Sequence, residues 1–258
     1  MNHVSGNVIA AQRDIFDLPV CDLGWADAFA FAESVATMPF GQSVVAFLDA
    51  GKAGRMLRDP EYRSVLERQV VLPDGRGVAL ASRLLHGRRL PANLKGTDFV
   101  PAMLTYIAKP MRVGLIGAQP ATLRRAAEHF RRHSPWHIFL PIADGAFDRT
   151  QSDEVMERVR TADLDILLVA MESPMQEKWI DRHVGPGHAR LVLGVGDLFE
   201  TVAGERRVAP RGARRLGLDP ARLRQWRFEL ALAFHALRYR FSGRPAAMAR
   251  KTAKAGSL

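Results

Sequence analysis

The chain of 258 residues is 47% hydrophobic and 25% charged, and it contains a single cysteine. This composition is typical of a globular protein with a substantial core, and it excludes wholesale disorder, an internal disulfide and a cysteine-rich zinc site. The formal net charge of +10 is unevenly placed, because residues 204–258 carry 14 Lys and Arg against 3 Asp and Glu. A nearly neutral body with a cationic C-terminal segment predicts an anionic partner: phospholipid headgroups, nucleic acid or a phosphorylated substrate.

Short apolar strands alternate with amphipathic helices through the first 203 residues. The predicted strands are Ser43–Leu48, Gln69–Leu72, Arg112–Ile116, His137–Leu140, Asp165–Ala170 and Arg190–Val195. The predicted helices are Ala53–Glu67, Ala79–Leu85, Asp98–Ala108, Ala121–His133, Ser152–Thr161 and Gln176–His183. This alternation predicts an α/β, Rossmann-like fold with a mainly parallel sheet, whose ligands lie at the carboxyl ends of the strands.

Two loops that follow early strands contain candidate site residues. Asp74 stands on a glycine-flanked turn after the second strand, where it could act as a general base or could cap the following helix. On local grounds the capping interpretation is favoured. Gly117 follows the third strand, and small residues at such a turn let the backbone approach a phosphate or nucleoside. The full dinucleotide fingerprint is absent, so a plain tight turn is an equal alternative.

Two later loops carry polar side chains beside apolar strands. After the fifth strand, Ser173–Trp179 is either a ligand-binding loop or a Ser-capped helix start with Glu177 and Lys178 on a solvated face. After the sixth strand, Gly194 and Gly196 are followed by Asp197, a pattern that suits a nucleotide's base and ribose. The alternative is that the two glycines allow close packing and that Asp197 caps the following helix.

No metal site is predicted. Asp163-Leu164-Asp165 matches the DxD pattern that binds metal in many glycosyltransferases, but it precedes a strand and therefore lies at the wrong end of the sheet. We interpret it as a helix-to-strand turn.

The sequence predicts neither a membrane-spanning helix nor a secretory signal. The longest apolar runs fall far short of the roughly 20 residues that a membrane-spanning helix needs. The N-terminus shows no secretory signal, so a cytoplasmic location is expected.

The C-terminal segment, residues 204–258, is predicted to be an appendage to a core formed by residues 1–203. Asp219-Pro220 is a typical helix start. An apolar stripe follows it, made of Leu223, Trp226, Leu230, Phe234, Leu237 and Phe241, with arginines on much of the remaining surface. This basic amphipathic pattern favours binding to an anionic membrane surface. The alternative is that Leu223–Phe241 packs on the core as a helix, and nucleic-acid binding is disfavoured by the continuous apolar face.

Taken together, these loops resemble the WecG/TagA/CpsF glycosyltransferases (glycosyltransferase family 26). The stretches that carry the resemblance are Leu72-Pro73-Asp74-Gly75, Gly96-Thr97-Asp98, Gly145-Ala146-Phe147, Ser173–Trp179, Gly194-Val195-Gly196 with Phe199, and Arg207-Val208-Ala209-Pro210. They occur in the family's order from about Leu72 to Arg240, and the Ser-Pro-x-Gln-Glu-Lys-Trp stretch is the most specific of them.

The resemblance implies an inverting, metal-independent enzyme without a cofactor. It would move a sugar from a UDP-sugar to a polyprenyl-diphosphate-linked sugar in bacterial cell-surface polysaccharide biosynthesis, at the inner face of the membrane. By the same resemblance, Asp74 is the general base and Gln176 lies near the donor or acceptor sugar. The nucleotide-sugar would be bound by Gly117, Gly145, Gln176, Gly194, Gly196, Asp197, Arg207, Arg211 and Arg214. The appended arginines would stabilise the leaving diphosphate in place of a metal.

Two departures from the family pattern qualify this prediction. Phe47 stands in the family's Thr-x-Asn stretch, and Asn93 stands where better-known members have Arg. These changes leave the donor sugar open among glucose and acidic or acetylated hexosamines. They also motivate an alternative function, a catalytically degenerate scaffold in a polysaccharide assembly complex.

Overall fold

A sheet of six parallel strands forms the centre of the protein. The computed structural model describes residues 11–205 and 220–241, and for residues 220–225 only the helical backbone. The strands are β1 (Gln12–Ile15), β2 (Leu18–Cys21), β3 (Ser43–Leu48), β4 (Val70–Pro73), β5 (Arg112–Gly117), β6 (Ile138–Ala143), β7 (Leu164–Ala170) and β8 (Ala189–Gly194). The helices are α1 (Trp25–Thr37), α2 (Ala50–Met56), α3 (Pro60–Glu67), α4 (Arg76–His86), α5 (Gly96–Tyr106), α6 (Pro120–His133), α7 (Ser152–Thr161), α8 (Met175–His183), α9 (Leu198–Val202) and α10 (Pro220–Phe241).

The strand order in the sheet is β4-β3-β8-β7-β5-β6, and every adjacent pair is parallel. The register aligns the carboxyl ends of the strands, because Leu48 pairs with Pro73 and Gly117 pairs with Ala170. The loops that follow these strands therefore meet along one edge of the sheet. This confirms the predicted Rossmann-like α/β fold.

Both faces of the sheet are covered by helices. Along β3, Phe47 packs into a core with helices α1, α5, α6 and α9, whereas Leu48 packs into a second core with α2, α3 and α4. A third cluster joins β7 and β8 to α7 and α8. Burial on both faces explains why the strands are continuous apolar runs rather than alternating ones.

All six predicted sheet strands are present, with small shifts at their ends. The helix predicted over Ala53–Glu67 is wrong, because the structure has two helices, α2 and α3, with a break between them. Asp59 accepts a hydrogen bond from the Tyr62 N–H at 2.9 Å, and Pro60 occupies the first turn of α3. This arrangement starts a new helix. The antiparallel β1–β2 hairpin and α1 were not predicted.

Helix α10 packs against α2 and α4 on one side of the sheet. Among the side chains of residues 226–241, Leu232 and Ala236 are buried and join the core formed by those helices. The hydroxyl of Tyr239 donates to Asp17 at 2.5 Å, and the guanidinium of Arg240 donates to the Leu84 carbonyl at 2.9 Å. The described part of the appendage is thus docked on the core, and the boundary at residue 203 stays a prediction.

Candidate active site

A cleft of about 1150 Å3 lies at the carboxyl edge of the sheet. Loops after β3, β4, β5, β6, β7 and β8 all border it, together with one turn of α10. This is the position at which ligands bind in open parallel sheets. Of the predicted site residues, Asp74, Gly145, Gly194, Gly196 and Asp197 line the cleft.

Asp74 follows β4 and projects its carboxylate toward the start of α5. Its Oδ2 accepts a hydrogen bond from the Gly96 N–H at 3.3 Å. The cap of α4 is Gly75, with a φ of 86° and no side-chain hydrogen bond, so the expectation that Asp74 caps α4 is wrong. Glycine suits this cap because it adopts positive φ without steric cost. The carboxylate is left facing the cleft.

The environment of Asp74 favours its protonated form. Burial, with the negative charge of Asp49 as the second cause, raises the pKa of Asp74 from 3.8 to about 6. The Gly96 N–H and the positive charges of Lys52 and Lys95 oppose this rise. A carboxylate with a pKa near the working pH is well suited to accept a proton in a general-base step.

Gln176 is fully buried beneath the cleft and joins two of its loops. Its Oε1 accepts hydrogen bonds from the N–H groups of Met171, at 3.1 Å, and Gly196, at 2.9 Å. Its Nε2 donates to Glu177 at 3.2 Å. A Cβ on Gly194 would lie 2.5 Å from this Nε2, so only glycine fits beside the amide. The geometry gives Gln176 the task of holding the loops after β7 and β8 in register.

The Ser173–Trp179 stretch is not the solvated helix start considered from sequence. Glu177 is fully buried, and its Oε1 pairs with the Lys52 Nζ of α2 at 3.0 Å. Ser173 does not cap α8; its hydroxyl donates to Glu177 at 2.5 Å. Lys178 pairs with Asp59 and Glu61 of α3. The motif therefore ties α8 and its loop to α2 and α3.

The predicted glycines serve close packing at the cleft edge. Gly117 has a φ of 117°, and a Cβ there would lie 1.9 Å from the Ala170 carbonyl oxygen, so the turn requires glycine. It lies behind the cleft surface, whereas Gly145 reaches that surface and donates to the Ala118 carbonyl at 2.6 Å. Asp197 begins α9 without a side-chain capping bond and lies at the cleft. Backbone thus approaches any ligand closely on this side.

Two cleft residues escaped the sequence analysis although both have buried atoms without partners. The Arg149 guanidinium lies 4.2 Å over the Phe147 ring and donates through Nη2 to the Gly145 carbonyl at 3.3 Å. Its Nη1 is buried and has no hydrogen-bond partner among the described residues, and the same holds for Oε2 of Glu200. Burial raises the pKa of Glu200. Such orphaned groups cost roughly 1–3 kcal/mol each unless a ligand satisfies them.

The two departures from the family pattern both lie at the cleft end of β3 and β4. The Phe47 ring packs against Gly96, where a Cβ would lie 3.0 Å from the ring, and it borders the cleft. Asn93 accepts a hydrogen bond from the Gly75 N–H at 2.5 Å and so steadies the turn that carries Asp74. Lys95, two residues later, borders the cleft beside Asp74.

The predicted arginines of the appendage, Arg207, Arg211 and Arg214, lie outside the described residues. Before them in the chain, Glu205 accepts a hydrogen bond from the Thr122 hydroxyl of α6 at 2.5 Å. After them, α10 places Phe228 and Glu229 in the cleft wall. Sequence periodicity had not singled out either of these two residues.

No group of three or more metal-ligating side chains occurs in residues 11–205 and 220–241. His129 and His133 stand four residues apart on α6 with stacked rings 4.0 Å apart, but neither borders the cleft. Asp163 lies in the turn between α7 and β7, as predicted, and Asp165 pairs with Arg190 at 2.5 Å. Asp165 of the DxD pattern is therefore engaged in an ion pair within the core.

Comparison with known proteins identifies the family. Residues 13–243 match the model of the glycosyl transferase WecG/TagA/CpsF family. The chain belongs to this family. A relative from Bacillus spizizenii, named N-acetylglucosaminyldiphosphoundecaprenol N-acetyl-beta-D-mannosaminyltransferase, is 29% identical over 158 residues, which cover 60% of each chain. A relative of the same name from Bacillus subtilis is 29% identical over 182 residues, or 69% of each chain. The match thus covers less than two thirds of the length of the Bacillus spizizenii relative.

Proposed function

We propose that the protein is an inverting hexosyltransferase that moves a sugar from a UDP-sugar to a polyprenyl-diphosphate-linked sugar in cell-surface polysaccharide biosynthesis. The names of both Bacillus relatives, which specify a lipid-linked diphosphate sugar as acceptor, support this choice. The observation that carries it is the Asp74 carboxylate, with its pKa raised to about 6, in a cleft at the carboxyl edge of a parallel sheet.

In the proposed reaction Asp74 accepts the proton of an acceptor hydroxyl. The hydroxyl oxygen then forms a bond to the anomeric carbon of the donor from the face opposite the leaving group. The bond from this carbon to the diphosphate oxygen breaks, and UDP departs with the bonding electrons. This single displacement inverts the anomeric configuration. Gln176 acts as a positioning residue, because its amide fixes the loops after β7 and β8 around the substrates.

Negative charge grows on the diphosphate as UDP leaves, and cationic groups must stabilise it. The core supplies Lys52, Arg55, Arg58, Lys95 and Arg149 to the cleft. Lys52 is already paired with Glu177, and Arg55 donates to the Ser173 carbonyl. Arg149 offers a buried N–H without a partner among the described residues. Arg207, Arg211 and Arg214 remain proposed contributors from the appendage.

Arg149→Ala is expected to weaken UDP binding about tenfold while leaving uridine binding unchanged, because a guanidinium binds phosphate oxygens in a charge-assisted manner. Isothermal titration of both ligands, with a chelator present, measures the difference. Arg160→Ala is the matched control, since Arg160 is exposed on α7 and pairs with Glu157. An equal loss of affinity for uridine would show that Arg149 maintains the shape of the cleft and does not bind the diphosphate.

We further propose that α10 places the enzyme on the inner surface of the cell membrane. No helix in the described parts of the chain is long and apolar enough to cross a bilayer. The predicted stripe is nonetheless exposed, at 66% for Trp226, 68% for Phe234 and 81% for Phe241. The helix packs on the core through its opposite side, Leu232 and Ala236. Helix α10 thus packs on the core, as the alternative expected, while Trp226, Phe234 and Phe241 stay exposed.

The membrane stripe, defined as Trp226, Leu230, Phe234, Leu237 and Phe241, falls within about 80° of the helix surface at 100° per residue. Arg227 and Arg238 border it on one side and Arg240 borders it on the other. An apolar strip flanked by cations is typical of a helix that lies in the bilayer interface, where each cation adds about 1 kcal/mol near anionic lipid.

Trp226→Ala combined with Phe241→Ala is expected to lower binding to anionic liposomes about tenfold, because each side chain loses part of its burial in the interface. Sedimentation with vesicles of phosphatidylglycerol and phosphatidylethanolamine measures the effect. Phe40→Ala is the control, because Phe40 is 82% exposed but lies between α1 and β3. Equal losses in both variants, or none in either, would contradict membrane docking through α10.

A further inference from the structure

Helix α10 borders the half of the cleft that contains Asp74. A Cβ atom on Gly77, at the start of α4, would lie 3.2 Å from Cγ of Glu229, and a Cβ on Gly51, at the start of α2, would lie 3.9 Å from the Phe228 ring. These two helices follow directly after Asp74 and Asp49. Phe228 and Glu229 therefore stand above the end of β3 and β4, away from Gly145.

We infer that Phe228 and Glu229 form one wall of a subsite for the acceptor sugar. The inference rests on the proposed function, because a general base defines where the acceptor hydroxyl must be. That hydroxyl has to lie within hydrogen-bond reach of Asp74. The sugar ring that carries it then meets the side chains next to Asp74, and the α10 turn with Phe228 and Glu229 supplies two of them.

The chemistry of the two side chains fits a sugar ring. An aromatic face packs against the apolar C–H face of a pyranose, and a carboxylate accepts hydrogen bonds from its hydroxyl or amide groups. The opposite half of the cleft, with Gly145 and Arg149, is left for the nucleotide.

The same helix connects this subsite to the membrane stripe. At 100° per residue, Phe228 lies about 200° around α10 from Trp226, and Glu229 lies about 60° from Trp226, beside Arg240. The cleft-facing turn therefore reaches the edge of the membrane stripe. A polyprenyl chain remains in the bilayer, and its sugar must pass α10 to reach Asp74. The helix is thus placed to receive the acceptor on its membrane side and to hold its sugar on the cleft side.

The test measures binding of N-acetylglucosamine diphosphate carrying a short alkyl chain, a water-soluble probe that needs no membrane. Phe228→Ala and Glu229→Gln are each expected to weaken its binding about fivefold to tenfold and to leave UDP binding unchanged. Phe228→Tyr, which keeps the aromatic ring, is expected to bind like the unmodified protein. Phe234→Ala, an aromatic substitution on the outward side of the same helix, is the matched control and should alter only liposome binding.

Three outcomes would overturn the subsite. They are unchanged probe binding in both cleft-side variants, an equal loss in Phe234→Ala, or a parallel loss of UDP binding that marks general collapse of the cleft. The proposed reaction fails separately. If no UDP-sugar supports transfer and Phe228→Ala still weakens probe binding, the reaction is rejected and the sugar subsite stands.

Discussion

Asp74→Asn is expected to lower kcat by about 10²–10⁴-fold while leaving UDP affinity unchanged, since general-base catalysis contributes a factor of this size. The Asn side chain keeps the shape of the Asp74 turn but cannot accept the acceptor's proton. The measurement is UDP release in the presence of a panel of UDP-sugars and a lipid-diphosphate sugar acceptor, with a chelator added. Unchanged transfer by this variant would support the scaffold alternative or a different base.

The pH dependence of kcat/KM provides a second test of Asp74 as the general base. The base must be ionised, so kcat/KM is expected to rise about tenfold per pH unit up to the pKa of Asp74, about 6, and to level off above it. Asp49→Asn should move this limb to lower pH, because it removes a like charge that disfavours ionisation of Asp74. Asn at position 49 retains an oxygen for the hydrogen bond that Asp49 now accepts from the Lys52 N–H at 2.8 Å.

The thermal stability of Asp74→Asn shows whether a loss of activity comes from lost catalysis or from unfolding. Because the folded-state pKa of Asp74 lies above its unfolded value of 3.8, its favourable contribution to folding exists at low pH and disappears as the pH rises through about 6. Above that pH the buried charge opposes folding. Asp74→Asn is therefore expected to match or exceed the unmodified protein in thermal stability at neutral pH. Asp27→Asn, at an exposed position on α1, is the control for both assays.

The sheet was predictable because each of its strands is recognisable from its local sequence alone. Strands covered on both faces are apolar throughout, and each is followed by small or acidic residues at the same edge. The β1–β2 hairpin lacks this signal, since Gln12–Ile15 is short and alternates between exposed and buried residues. Helix α1 begins at Gly24 without a capping side chain, so no start signal marks it. The break at Asp59-Pro60 has the same Asp-Pro signal that predicted a helix start at Pro220, where α10 begins.

The candidate site was only partly predictable, because its charged side chains are distant in sequence and come together only in the folded protein. The loops with Asp74 and Gly196 were found since each follows a strand, whereas Gly145 was found only through the resemblance to the family. Arg149 was missed because nothing in its local sequence shows that Nη1 is buried. Periodicity identified the apolar stripe of α10, but it could not show which side of the helix meets the core. Phe228 and Glu229 became candidates only once that orientation was known.

The pairing of Lys52 with Glu177 illustrates the same limit, because 125 residues separate the two in sequence. The side chain of Glu177 is only 1% exposed, so its charge depends on Lys52 and on the Ser173 hydroxyl. Burial raises the pKa of Glu177, but these partners outweigh it and hold the pKa below 4.5. The pair also fixes α2 against α8, and Arg55 of α2 donates to the Ser173 carbonyl in the loop after β7.

Lys52→Met is therefore expected to lower the free energy of unfolding by about 3–5 kcal/mol, because it leaves a buried carboxylate without its partner. Lys178→Met is the matched control from the same cluster, since its bonds to Asp59 and Glu61 lie at the surface, where ion pairs contribute little to stability. Denaturant unfolding at neutral pH measures both. A similar effect in the two variants would show that Glu177 is better solvated than its burial indicates.

The pH dependence of the Lys52→Met effect tests its cause. The stability that Glu177 gains from a lowered pKa is present above pH 4.5 and is lost as the pH falls through its folded-state pKa. The difference between the unmodified protein and Lys52→Met should accordingly shrink in acid, where Glu177 becomes protonated and no longer needs a cation. Lys52→Met combined with Glu177→Leu should recover much of the lost stability at neutral pH, since an apolar pair can replace a buried ion pair. Recovery of stability without recovery of transfer would then separate the two roles of the pair: its charges would be dispensable for folding yet needed for the cleft, where Lys52 faces Asp74.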